Sequence, residues 1–138
     1  MILVTGGAFQ GKRRFAETFV CQEKKGQNLP ETAVKDILII DGETKDWQKL
    51  CQADIIVGIH RWIGNLLGEG KDPYAMTQKL LGVNPKVVIT LDQVGCGVVP
   101  VKASDRQYRE TVGRIGCMLA EQAKQVYLLN CGIAKKIK

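Results

Sequence analysis

Apolar positions fall in short unbroken runs, and amphipathic stretches separate them. Ile2, Leu3 and Val4 form the first run, and a helical pattern follows over residues 11–25. A second strand is predicted at 37–40, ending at Asp41 and Gly42, then a short helix at 45–52 and a third strand at 54–59. Helical spacing returns near 61–67 and 73–81, with further strands at 87–91 and 126–129. The strand segments do not alternate apolar with polar, so both of their faces are buried. Such strands, interleaved with helices, predict an α/β fold: a doubly wound, mainly parallel sheet of about five or more strands with flanking helices.

The longest helix is the best marked. Tyr108, Val112, Ile115, Leu119 and Ala123 recur every three or four residues and make one apolar stripe, read as core. Ser104 is placed to cap it, with Gln107 as the reciprocal partner three residues on. No repeat or linker divides the chain, so residues 1–138 are expected to be a single domain.

Composition narrows the class. The chain has 138 residues, 45% hydrophobic and 25% charged, which excludes collagen-like and disordered proteins. No apolar run approaches the ~18 residues of a membrane span, and the first run is too short for a signal peptide; a cytoplasmic location is expected. Five cysteines without a C-x-x-C pair, and a single histidine, argue against a Cys/His zinc site and for reduced thiols, several of them packed as small apolar residues. The net charge of +6 suits an anionic partner. Much of it is carried by Lys24, Lys25, Lys135, Lys136 and Lys138, read as solvated charges. Nucleic acid is set aside, because no recognition motif or interleaving of basic and aromatic residues accompanies the charge.

The candidate chemistry lies after the first strand. Gly6, Gly7, Ala8, Phe9, Gln10, Gly11, Lys12 and Arg13 match G-x-x-x-x-G-K, with Arg13 where the full motif has Ser or Thr. Glycines let successive N–H groups turn inward around an anion, the helix start adds positive potential, and Lys12 reaches the outer phosphates. By chance roughly one chain in six of this composition would carry the spacing, but its place between a strand and a helix points to a P-loop-type fold. The expected ligand is ATP or GTP. The missing hydroxyl normally coordinates Mg²⁺, so the metal is in doubt, and Arg13 would either replace its charge or repel it.

The residues 1–17, MILVTGGAFQGKRRFAE, resemble the opening of the adenosylcobinamide kinase / adenosylcobinamide-phosphate guanylyltransferase family, usually close to MILVTGGARSGKSRFAE. The resemblance resumes at residues 62–67, WIGNLL, and strengthens at residues 92–100, DQVGCGVVP, which is similar to the family's N-E-V-G-x-G-I-V-P. It continues through 106–110, Gly113 and Arg114, and 126–128 with Gly132. These blocks cover about two thirds of the chain. The resemblance implies a phosphate-loop sheet with an added hairpin and a homo-oligomer. It implies phosphorylation of a corrinoid, adenosylcobinamide, and transfer of GMP to that phosphate through a guanylylated histidine.

The departures from the family fall on chemistry. Arg13 replaces the loop's Ser, Val57 stands where the third strand would end in an acidic residue, and Gln93 replaces Glu. Gly116 and Cys117 replace Asn-Gln. The stretch from Asp41 to Asp54 is short and holds no histidine, whereas the family carries its guanylyl acceptor there. Lys12 is the catalytic candidate if transfer survives. Asp41, His60, Asp92, Gln93, Gly95 and Gly97 are further site candidates, and no metal-ligand set is assigned. His60 is open to two roles, a structural or surface imidazole and a nucleophile; Asp92 likewise could organise a metal or serve a turn. Two functional readings follow. One is a family kinase with reduced or lost activity and without its guanylyltransferase half. The other is a non-catalytic nucleotide- or corrinoid-binding relative acting as partner or regulator.

Overall fold

The computed structural model describes residues 1–26, 37–95, 97 and 100–138. Its elements run β1 (Ile2–Gly6), α1 (Lys12–Gly26), β2 (Ile39–Asp41), α2 (Trp47–Gln52), β3 (Ile55–Val57), α3 (Ile59–Gly68), α4 (Pro73–Val83), β4 (Val88–Asp92), α5 (Ala103–Gln122), β5 (Gln125–Asn130) and β6 (Ile133–Lys136). The strands form one six-stranded sheet in the order β2-β3-β4-β1-β5-β6. The first five are mutually parallel, and β6 runs antiparallel to β5. The expected parallel α/β sheet with flanking helices is therefore the fold.

Both faces are covered, as the unbroken apolar runs require. Leu3 and Val4, neighbours on β1, point to opposite sides. Leu3 joins Ile89, Trp62, Ile63, Leu80, Ile115 and Leu119 in the larger core beneath α3, α4 and α5. Val4 joins Ala16, Val20, Val88 and Leu129 in a smaller core under α1, where Phe15 and Phe19 pack on Tyr127 with ring centroids 4.9 and 5.6 Å away. The predicted stripe on α5 is core: Val112, Ile115, Leu119 and Ala123 are buried.

Several boundaries differ from the sequence reading. The third strand stops at Val57, because Gly58 turns the chain with φ 71° and Ile59 already begins α3. The second strand is shorter than predicted, with Ile37 and Leu38 ahead of Ile39–Asp41. The α5 helix starts at Ala103 with Lys102 at its cap, so Ser104 lies inside the first turn and makes no capping bond. Asp46 and Asp72 are the side chains that do cap, each accepting two backbone N–H groups, for α2 and α4.

The tail also differs. Cys131 and Gly132, at φ 49° and 78°, make a two-residue turn that returns the chain as β6. Lys135 and Lys136 remain exposed, but on an edge strand, where charge discourages pairing with other chains. Lys138 is not a bare solvated charge: its Nζ donates to Ala120 O and Glu121 O at 2.9 and 2.7 Å, capping the end of α5. Lys24 likewise pairs with Asp54 at 3.2 Å. Among the described cysteines Cys21 and Cys51 are partly buried, Cys117 and Cys131 are exposed, and all four are free thiols; Cys96 lies outside the described residues. No helix among the described residues is long and apolar enough to cross a membrane.

Candidate functional site

The strand register sets the site. Gly6 and Asp92 end β1 and β4 side by side, so the loop after β1 rises at the carboxyl edge of the sheet, where doubly wound folds take their ligands. Gly6 must be glycine there, since a Cβ would collide with the Leu129 carbonyl of β5. Phe9 at the loop tip has φ 58° and a fully exposed ring. Gln10 Oε1 accepts a hydrogen bond from Cys131 N, tying the loop to the β5–β6 turn.

Lys12 opens α1 with its side chain only 6% exposed. Its Nζ donates to Gly7 O and pairs with Asp92 Oδ1 at 2.9 Å. The loop thus surrounds a buried ammonium, and a carboxylate from the neighbouring strand balances it. This ammonium faces a cavity of about 580 Å³. The loop and α1 contribute Phe9, Gln10, Gly11, Lys12, Arg13, Arg14 and Glu17 to its lining, and the strand ends and the start of α3 contribute Asp41, Val57, Gly58, His60, Arg61, Thr90 and Asp92.

The far wall is built from the ends of β2, β3 and β4. Gly58 N donates to Thr90 Oγ1 at 2.8 Å, joining the start of α3 to β4. His60 follows, half-buried, with Nδ1 3.4 Å from the Asp92 amide that donates to it, while Tyr108 Oη donates to the His60 carbonyl at 3.1 Å. Desolvation pushes the His60 pKa below its ordinary value; Arg61 and Lys12 push the same way, and Asp92 and Asp41 oppose them. The imidazole is therefore biased towards its neutral form. Arg61 Nη2 donates to Asp41 Oδ2 at 2.6 Å and to Val57 O at 3.2 Å.

Of the sequence candidates, Phe9, Gln10, Gly11, Lys12, Arg13, Asp41, His60 and Asp92 meet at this cavity. Gly6, Gly7 and Ala8 are not in the cavity lining, although Gly7 O accepts from Lys12 Nζ. Gln93 instead extends the β1–β4 pairing through Gln93 N to Gly6 O at 3.0 Å. Gly95 and Gly97 sit in a separate loop, whose carbonyls accept from Arg109. Arg13 turns along its own helix to Glu17 at 2.8 Å. Arg14, Glu17, Val57, Gly58, Arg61 and Thr90 line the cavity without being sequence candidates for the site. Thr90 was findable, as the one hydroxyl in the apolar run before Asp92, and Arg61 by its place one turn after Val57.

The sheet and the loop with its buried lysine define a phosphate-loop α/β protein of the nucleotide-binding class. Residues 40–137 match the model of the family described as cobinamide kinase / cobinamide phosphate guanyltransferase, and the chain belongs to that family. Two relatives, each named bifunctional adenosylcobalamin biosynthesis protein CobU, come from Escherichia coli (strain K12) and Salmonella typhimurium (strain LT2). Each is 28% identical over 180 aligned positions that cover 100% of this chain and 99% of the relative. An alignment that long over 138 residues contains gaps opposite segments this chain lacks.

The donor set does not fit the Mg²⁺ ion expected beside a phosphate loop. Position 13 offers a guanidinium in place of a hydroxyl, and Val57 ends β3 without a carboxylate. The three carboxylates that line the cavity are each committed to a cation: Asp92 to Lys12, Glu17 to Arg13 and Asp41 to Arg61. Among the described residues no group of three or more His, Cys, Asp or Glu is placed to hold a metal.

Proposed function

We propose that this chain is a single phosphate-loop domain that binds a nucleoside triphosphate, ATP or GTP, and has lost most of its family's transfer chemistry. The observation that carries the reading is Lys12, buried at the wall of the cavity beneath the glycine loop. There it would hold the outer phosphates while the loop amides and the start of α1 bind the rest. Phosphoryl transfer to a cobinamide-type corrinoid is slow at best, because neither a hydroxyl at position 13 nor an acid at position 57 is present to organise a metal. Guanylyl transfer is absent, since no histidine lies between β2 and β3. The four free thiols suit the reducing cytoplasm.

A second reading, a purely binding relative that serves as partner or regulator, is favoured by the ion-paired state of Asp41 and Asp92. Neither carboxylate is free to take a proton from an acceptor hydroxyl. Incubation with ATP, GTP and cobinamide, followed by assay of phosphorylated and guanylylated products, separates the two. Slow phosphorylation that vanishes in Lys12→Ala supports the reduced kinase. Nucleotide binding without any product supports the binding relative, and rapid guanylyl transfer contradicts both.

A further inference from the structure

We infer that Arg61 supplies the cationic charge that a divalent metal would otherwise bring, so that this chain binds its triphosphate without Mg²⁺. The inference rests on the proposed nucleotide binding and names how that same cavity neutralises its ligand.

Arg61 is a held group. Its Nη2 is fixed between Asp41 Oδ2 at 2.6 Å and Val57 O at 3.2 Å. The guanidinium packs against Gly58, where a Cβ would sit 2.7 Å from Nη2 and 2.9 Å from Cζ, and the φ of 71° at Gly58 favours glycine there. The other guanidinium nitrogens make no hydrogen bond among the described residues, and Nε is closed off from solvent. Nε lies 3.9 Å from Glu43 Oε1, so Nη1 is the nitrogen whose donors are left for a ligand at the cavity.

Its position is the relevant one. Val57 ends β3, the strand end at which a metal-organising carboxylate is missing, and Arg61 lies one helical turn further on and binds the Val57 carbonyl. Lys12 and Arg61 both line the cavity, and His60 feels the positive charge of both. An anion entering there meets an ammonium and a guanidinium together. A guanidinium is suited to phosphate oxygens, and here Nη1 is the nitrogen left to donate to one while Nη2 stays on Asp41 and Val57 O. Arg13 and Arg14, the other cations lining the cavity, are both exposed on α1, and Arg13 is turned away to Glu17. A metal at the same place would face Arg61 across a few ångströms with no free carboxylate to offset the repulsion.

The test is titration of ATP and of inorganic tripolyphosphate into the intact chain, once with Mg²⁺ and once with EDTA. The expected result is affinity in EDTA at least equal to that with Mg²⁺ for both ligands. Arg61→Gln, folded by circular dichroism, should then bind roughly tenfold or more weakly in EDTA. Asp41→Asn, at an exposed position, should bind more tightly in EDTA, because it releases Arg61 from its competing anion while Val57 O still holds it. Binding that occurs only with Mg²⁺ overturns the inference and leaves nucleotide binding intact. Affinity in EDTA unchanged in both variants also overturns it. No binding under either condition overturns the nucleotide-binding reading itself and this inference with it.

Discussion

Lys12 and Asp92 form a pair whose partners are unequally buried, at 6% and 27% exposure. Removing the carboxylate strands a buried ammonium, at a cost of about 1–3 kcal/mol. An anion can take the vacated role, so Asp92→Asn should melt lower than the natural chain and be raised more by added tripolyphosphate, read by differential scanning fluorimetry. His60 has a second consequence. Its folded pKa is held below the ordinary 6.5, chiefly by burial. As pH falls below 6.5 the unfolded chain takes up the proton before the folded one, so stability present at neutral pH is lost on acidification through the lowered folded value. Denaturant midpoints should fall from pH 7 to pH 5, and His60→Gln should flatten that slope. The sequence displayed the loop and Lys12 because a phosphate cradle is local in the chain. It could not display the Arg61–Asp41 pair, which joins positions 20 residues apart through the meeting of β2 with the start of α3.

The elements were legible to the degree that burial is two-sided. The apolar runs of β1, β4 and β5, and the stripe on α5, announce themselves because most of their residues meet a core. The sheet's last strand did not: β6 is lysine-rich and mostly exposed, and its pairing comes from the Cys131–Gly132 turn rather than from apolar pattern. The resemblance implied a hairpin but not its place. The cap of α5 is Lys102 rather than Ser104, and capping is well defined at α4, where Asp72 Oδ1 accepts from Tyr74 N and Ala75 N at 2.9 and 3.2 Å with Pro73 at the first position. Asp72→Ala should cost about 1 kcal/mol, a fall of about 3–5 °C in Tm for a chain of this size. Gly6→Ala should cost far more, about 3 kcal/mol or above, because β1 and β5 must separate to admit the methyl group; the check is its urea midpoint.

At the scale of the whole molecule, the sheet brings three ion pairs to one edge, each built across or along elements that bound a single cavity. Four cations and three carboxylates line it, beside a histidine biased towards neutrality. That balance attracts a polyanion and leaves little to hold a metal. Membership of the cobinamide kinase family accounts for the architecture, while the residues at the strand ends are the ground for the proposed loss of transfer chemistry. Phosphate binding by Lys12 is the property on which the proposed function depends. Its most direct measurement is calorimetric titration of ATP and GTP into the natural chain and into Lys12→Ala. Saturable binding by the first, and loss of roughly a hundredfold or more in the second, is the expected result. Equal binding by both chains, or none by the natural one, would contradict it.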